Sequence, residues 1–116
     1  MTGVYRVDKF VVPEAARTEF WSQVRRTHAV LRTLPGFVND KLLEQISGPG
    51  RFNAVTIVEW SSEDALGQAK TAVEKSHRDA GFQPREFFDR VGIQSDLANY
   101  AAVGSVNALS PRPEYR

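Results

Sequence analysis

Three features of the sequence predict an α+β fold with a four-stranded antiparallel sheet carrying both long helices on one face. The apolar pattern changes period in the order strand, helix, strand, strand, helix, short helix, strand. Turn signals rich in Gly and Pro punctuate the order, as at Pro35-Gly36 and Ser47-Gly48-Pro49-Gly50. A β-α-β unit also occurs twice, its two copies joined by a hairpin, which is the split arrangement of a ferredoxin-like sheet.

The first strand, Val4 to Val12, is rich in Val, Phe and Tyr and stops at Pro13, which cannot donate to a ladder. Helical spacing of Ala16, Phe20, Val24, Leu31 and Leu34 predicts a helix from Glu14 to Leu34. The second strand runs from Phe37 to about Ile46, and the third from Phe52 to Trp60. Ser61, with Asp64 three residues on, forms a capping pattern for a second helix that carries Leu66, Ala69, Val73 and Ala80 and ends at Gly81. Pro84 to Arg90 forms a short helix anchored by Phe87 and Phe88, and a last strand runs from about Asp96 to Val103. Residues 1–104 form one domain, and residues 105–116, with two prolines and no periodic apolar residue, are expected to be a flexible tail.

Strand two is unusual in having two faces that are each half polar. Strict alternation groups Phe37 and Leu43 with Asn39, Lys41 and Gln45, and Val38, Leu42 and Ile46 with Asp40 and Glu44. Strand three is mostly apolar on both sides, Val55 and Ile57 on one and Ala54, Thr56, Val58 and Trp60 on the other. Two helices cover one face of such a sheet, so a second protomer is the expected cover of the other.

Bulk properties narrow the function. Fifteen Lys and Arg against fourteen Asp and Glu leave a formal charge of +1, which provides no long-range field toward nucleic acid or an anionic membrane. There is no cysteine, and so no disulfide, thiolate metal site or thiol catalysis. Charges at Arg6, Asp8 and Lys9 break the N-terminal apolar run, which is therefore neither a signal peptide nor a membrane span, and a cytoplasmic protein is expected. No HxH, HxxxH or HExxH spacing supports a metal site, and no Gly-rich loop opens a helix to hold a phosphate.

Taken in order, the first strand ending in FVVP, the helix EFWSQVRRTHAVLRTLPGF, and the junction VTIVEWSSEDAL followed by AVEKSHRDAGF resemble the antibiotic biosynthesis monooxygenase family of the dimeric α+β barrel superfamily. The resemblance extends from about Val4 to Val103. It implies a homodimer whose sheets pack face to face, a pocket between sheet and helices in each protomer, and cofactor-independent oxidation of a phenol- or quinol-like aromatic by dioxygen. Relatives that degrade haem have a His near the end of helix two, matched by His77. They also have an Asn on strand one and a Trp within helix two, where this chain has Asp8 and Ala69.

His77 lies on the same helical stripe as Leu66, Ala69 and Val73 and is a candidate general base, hydrogen-bond donor or haem ligand; a helix-capping role is the structural alternative. Asp8 shares a face with Val4, Phe10 and Val12, so it is either an acid-base partner for His77 or the ion-pair partner of Arg6. Trp60, at the strand-helix corner, and Thr56, four residues before it, are candidate substrate contacts, with Trp60 equally able to plug the corner. His28 and Trp21 lie seven residues apart on helix one, where they line either a pocket or an amphipathic edge, and Tyr100 is a further candidate contact or an interface residue. The reading is a small aromatic substrate oxidised without cofactor or metal, with His77 and Asp8 catalytic. A non-catalytic holder of a small apolar molecule is the alternative, and haem binding is a third.

Overall fold

The computed structural model describes residues 3–104 and shows an α+β, ferredoxin-like fold. The expected tail, residues 105–116, lies outside the described residues. Strands β1 (Val4–Val11), β2 (Phe37–Glu44), β3 (Ala54–Trp60) and β4 (Gln94–Tyr100) form one antiparallel sheet in the order β2-β3-β1-β4. Helix α1 (Arg17–Leu31) follows a single 3-10 turn at Glu14–Ala16; α2 (Glu63–Asp79) and α3 (Pro84–Val91) complete the chain order. Among the described residues, no helix is long and apolar enough to cross a membrane.

Several boundaries differ from the sequence-based expectation, each for a local reason. The ladder between β1 and β3 ends at Phe10 and Ala54, and beyond it Asn53 takes over, its side chain accepting from the Val12 amide and donating to the Val12 carbonyl at 2.8 and 2.9 Å. Strand β2 stops at Glu44, short of Ile46, because the Gln45 side chain turns to donate to the carbonyls of Gly48 and Gly50, and Ile46 is left almost fully exposed. Helix α2 is capped by Ser62, whose hydroxyl accepts from the Ala65 amide at 3.1 Å, and not by Ser61. The Ser61 amide is already committed to the Gly36 carbonyl at 2.8 Å. Strand β4 starts two residues early and ends at Tyr100: Gly92, at φ +80°, closes α3 in the left-handed region, and Tyr100 pairs with Tyr5 near the start of β1.

The expected phase of strand two is corrected by a β-bulge between Phe37 and Asn39. The extra residue, Val38, is half exposed and flips the alternation that follows it. Phe37 therefore shares the helix side of the sheet with Asp40, Leu42 and Glu44, opposite Trp60, Val58, Thr56 and Ala54, while Asn39, Lys41 and Leu43 face the other way. Both carboxylates on the helix side are tied to α1. Asp40 meets His28 and Arg32 at 2.9 Å each, and Glu44 takes a two-point contact from Arg17 at 2.5 and 2.6 Å together with the Trp21 indole N–H at 2.9 Å.

The apolar interior is split into two clusters. One gathers Phe10, Val12, Ala16, Phe20, Ala54, Phe87 and Ile93, with Phe10 edge-on to Phe20 at 4.9 Å and to Phe88 at 5.8 Å. The other gathers Val4, Val58, Trp60 and Ala69, with Phe37 edge-on to Trp60 at 5.8 Å. Each large side chain so buried contributes roughly 1.5–3 kcal/mol.

Gly36 sets the corner where β2 begins beneath α2. It has φ +85°, and a Cβ there would come within 2.3 Å of the Ala65 Cβ. Gly36→Ala is expected to lower the unfolding free energy by roughly 2–4 kcal/mol, from backbone strain and steric overlap together, as measured by urea denaturation.

Candidate functional site

Between the two clusters the helix side of the sheet turns polar. Along β1 the sequence Val4, Arg6, Asp8, Phe10 alternates onto this face, and Asp8 pairs in register with Thr56 of β3. The helices have polar residues at the same level: Gln23, Thr27 and His28 on α1 and His77 on α2. Together these groups form one side of a cavity of about 270 Å³ between sheet and helices. Phe10, Phe20, Phe82, Phe87, Phe88, Val24, Val73 and Leu97 supply an apolar remainder. Aromatic walls with a few convergent polar groups are the usual make-up of a small-molecule site, and the volume lies near the low end for such sites.

Asp8 sits on the sheet wall and accepts from the Arg6 Nε at 2.5 Å, so the ion pair weighed from sequence forms inside the cavity lining and not away from it. Burial pushes the Asp8 carboxyl above its ordinary 3.8 despite the opposing hydrogen bond and charge of Arg6. His77 lies on the helix wall, with Nε2 3.2 Å from the Thr27 hydroxyl and its ring edge-on to Phe82 at 5.2 Å. Phe82 is held there by its backbone amide, which donates to the His77 carbonyl at 2.9 Å. Burial holds the His77 imidazole below its ordinary 6.5, which favours the neutral ring at neutral pH. His77 also borders a small recess on the outer side, between Thr27, Val30 and Ala80.

His28 is 5% exposed and lines the cavity, while its Nδ1 reaches Asp40 Oδ2 at 2.9 Å. The same oxygen takes Arg32 Nη2 at 2.9 Å. Burial alone would raise the Asp40 pKa, but the hydrogen bonds and charges of His28 and Arg32 outweigh it, and the carboxyl lies below its ordinary 3.8. Thr56, 4% exposed, also lines the cavity.

Asp8, His77, Thr56 and His28, all candidates from sequence, thus come together. The other three do not line this cavity. Trp60 is 1% exposed within the second apolar cluster, so its ring fills the strand-helix corner. Trp21 points toward the edge strand, where it donates to Glu44 and borders an open groove of about 370 Å³ with Arg17, Arg25 and Leu42. Tyr100 ends β4 on the opposite face of the sheet, paired with Tyr5. Gln23, Thr27 and Phe82 were not singled out from sequence as site residues, and the anchoring of His28 by Asp40 was not foreseen. The one available signal was the i, i+4 spacing of Gln23 and Thr27, on the helix flank beside His28.

Among the described residues, no buried polar side-chain atom lacks a hydrogen-bond partner, and no group of three or more His, Cys, Asp or Glu side chains is placed to hold a metal.

No family model and no curated protein matches the chain. Solved structures do. SnoaB, a cofactor-independent oxygenase from Streptomyces nogalater, is 27% identical with a TM-score of 0.63, over 88% of this chain and 94% of that one. The haem degrader MhuD from Mycobacterium tuberculosis is 23% identical with a TM-score of 0.63, over 90% and 99%. A DABB-family protein with a ferredoxin-like fold from Mesorhizobium loti is 14% identical with a TM-score of 0.59, over 86% and 96%. The last two likenesses are of fold.

The paired Asp40 carboxylate makes stability acid-sensitive. Its folded pKa is depressed, so its contribution is complete above 3.8 and is lost as pH falls through the folded value. Asp40→Asn is expected to cost about 1–3 kcal/mol at pH 7. In urea melts across pH, the gap between wild type and variant should narrow below 3.8.

Proposed function

We propose that the chain is a cofactor-independent monooxygenase that oxidises a small phenol- or quinol-like aromatic with dioxygen. The observation that carries this reading is the cavity itself, in which a raised-pKa carboxyl and an imidazole of lowered pKa line one cleft together with several phenylalanines. The 27% identity to a cofactor-independent oxygenase over most of both chains supports it.

The chemistry is driven by the substrate. Loss of the hydroxyl proton gives an electron-rich phenolate, which passes one electron to dioxygen, and the resulting pair joins through a carbon-oxygen bond. The peroxy adduct then loses the proton on that carbon as its oxygen-oxygen bond breaks. A quinone carbonyl forms, and the released oxygen leaves as water. In balance, one hydroxyarene and one dioxygen give one quinone and one water. His77 is a base for protons that leave the substrate, with Asp8 as its orienter or as an alternative base, and both protons return to the departing oxygen. The protein binds, orients and supplies polar groups where negative charge develops.

Haem, the third reading, has less support from these residues than the aromatic substrate. His77 Nε2 is engaged by Thr27, and Asp8 and Ala69 occupy the positions where the haem-degrading branch has Asn and Trp.

We further propose a homodimer formed through the sheet face that the helices leave open. Val7, Val11, Val55 and Ile57 supply apolar positions there, with Lys9 between Val7 and Val11 and opposite Val55, and with Lys41 and Glu59 beside Ile57. Sedimentation is expected to give twice the 13.0 kDa chain mass, and Ile57→Lys a monomer. A monomeric wild type refutes the dimer.

Oxygen uptake by metal-stripped protein with a panel of naphthols, naphthoquinols and anthrones is expected for at least one member, with one oxygen consumed per quinone formed. His77→Ala should lower kcat by about 10²-fold. Absence of uptake across the panel, with a tight ligand recovered unchanged, would instead assign the cavity to a non-catalytic holder.

A further inference from the structure

The two cavity histidines differ in how their rings are fixed. His77 meets a hydroxyl, Thr27 Oγ1, which can donate or accept, so that contact leaves its tautomer open. His28 meets a carboxylate. Ionised Asp40 can only accept, so His28 Nδ1 carries the hydrogen, and in the neutral ring Nε2 is a bare acceptor. Nε2 has no protein partner among the described residues, and none of their buried polar side-chain atoms lacks one. Nε2 is therefore not sealed off by protein, and His28 is among the residues that line the cavity.

Asp40 is itself clamped. Arg32, which caps the end of α1 four residues beyond His28, pairs with the same Oδ2 at 2.9 Å. The bulge at Val38 is what turns Asp40 toward the helices at all. A carboxylate, a guanidinium and an imidazole thus hold one aromatic ring in one orientation, at a desolvation cost that a plain apolar side chain would avoid. The charged or titratable groups facing His28 are Asp40 on β2, Arg32 on α1, the Arg6–Asp8 pair on β1 and, across the cavity, His77 on α2.

We propose that His28 Nε2 receives the proton of the substrate's aromatic hydroxyl, with Asp40 as its positioning residue and Arg32 as the clamp on Asp40. The O–H bond breaks, its electron pair stays on the phenolate oxygen, and the new imidazolium is stabilised by the Asp40 carboxylate. The oxidation releases two protons, and they divide between two bases: the oxygen-bound proton goes to His28 and the carbon-bound proton to His77. This rests on the aromatic substrate proposed above, but it concerns ionisation and not oxygen chemistry.

The test uses the full chain labelled with nitrogen-15 in its two histidines. The probe is 1-naphthol, whose phenolate absorbs at longer wavelength than the neutral form, added without dioxygen at a pH above the ordinary imidazole value of about 6.5 and below the probe's own solution pKa. Probe-free protein should show His28 with a protonated Nδ1 and a bare Nε2. Probe binding should protonate Nε2 and bring up the phenolate band. His28→Gln should reduce the phenolate fraction of bound probe by about fivefold or more, and Asp40→Asn should reduce it while the protein stays folded. If His28→Gln does not fold, the wild-type nitrogen spectra and Asp40→Asn decide the matter. A probe-free His28 protonated at Nε2, a bound probe that stays neutral in wild type, or an ionised probe that depends on His77 and not on His28 overturns the assignment. Ionisation of the probe without oxygen uptake on any panel substrate removes the oxygenase reading alone. Oxygen uptake unchanged in His28→Gln removes the role of His28 alone.

Discussion

The structure depends on an interruption in the apolar packing between sheet and helices. Phe10 with Ala54 and Val4 with Trp60 anchor two separate clusters, and the rungs between them carry Arg6, Asp8 and Thr56. A continuous apolar row would let the helices settle onto the sheet throughout. Polar side chains at the middle rungs need partners or open space, and the result is a cavity at mid-sheet held open by well-packed regions on either side. The clusters thus fix the distance between α1, α2 and the sheet, and the polar rungs determine what faces the gap.

The electrostatics of the gap follow the same plan. On its walls Asp8 is displaced from its ordinary pKa by burial against the pull of Arg6 and His77 by burial alone, and behind His28 the carboxyl of Asp40 is displaced by its two partners. Opposite displacements of a carboxyl and an imidazole bring their proton affinities closer together. The stabilising pairs on the solvent side, such as Arg17 with Glu44 and Lys75 with Asp79, are exposed and contribute little to this chemistry.

Element order and the split β-α-β topology were legible in the sequence, because each rests on a period of 2 or 3.6 that persists over several residues; the period also put Asp8 on one face with Val4, Phe10 and Val12 but left open whether that face meets the helices. What was not legible depends on events one residue long. Alternation alone put Phe37 with Asn39 and Lys41, and the bulge at Val38 reversed it. Trp60 and Trp21 carry the same side chain near the same cavity, yet one fills a corner and the other reaches for Glu44, and the deciding contacts are far apart in sequence. His28 drew attention as an amphipathic edge residue, but its partner Asp40 is twelve positions away, across a turn whose phase the pattern does not reveal.

The extra residue at Val38 also bears on how this chain is compared with its structural neighbours. A bulge adds one position to a strand without changing the fold, so an alignment that treats β2 as an unbroken ladder matches residues on one side of it to the wrong face. Inventories of shared site residues drawn that way would assign Asp40 to the exterior and pass over the contact it makes with α1. Against a neighbour whose β2 lacks the bulge, a one-position gap at Val38 is needed for Asp40 to be matched with residues that face the helices.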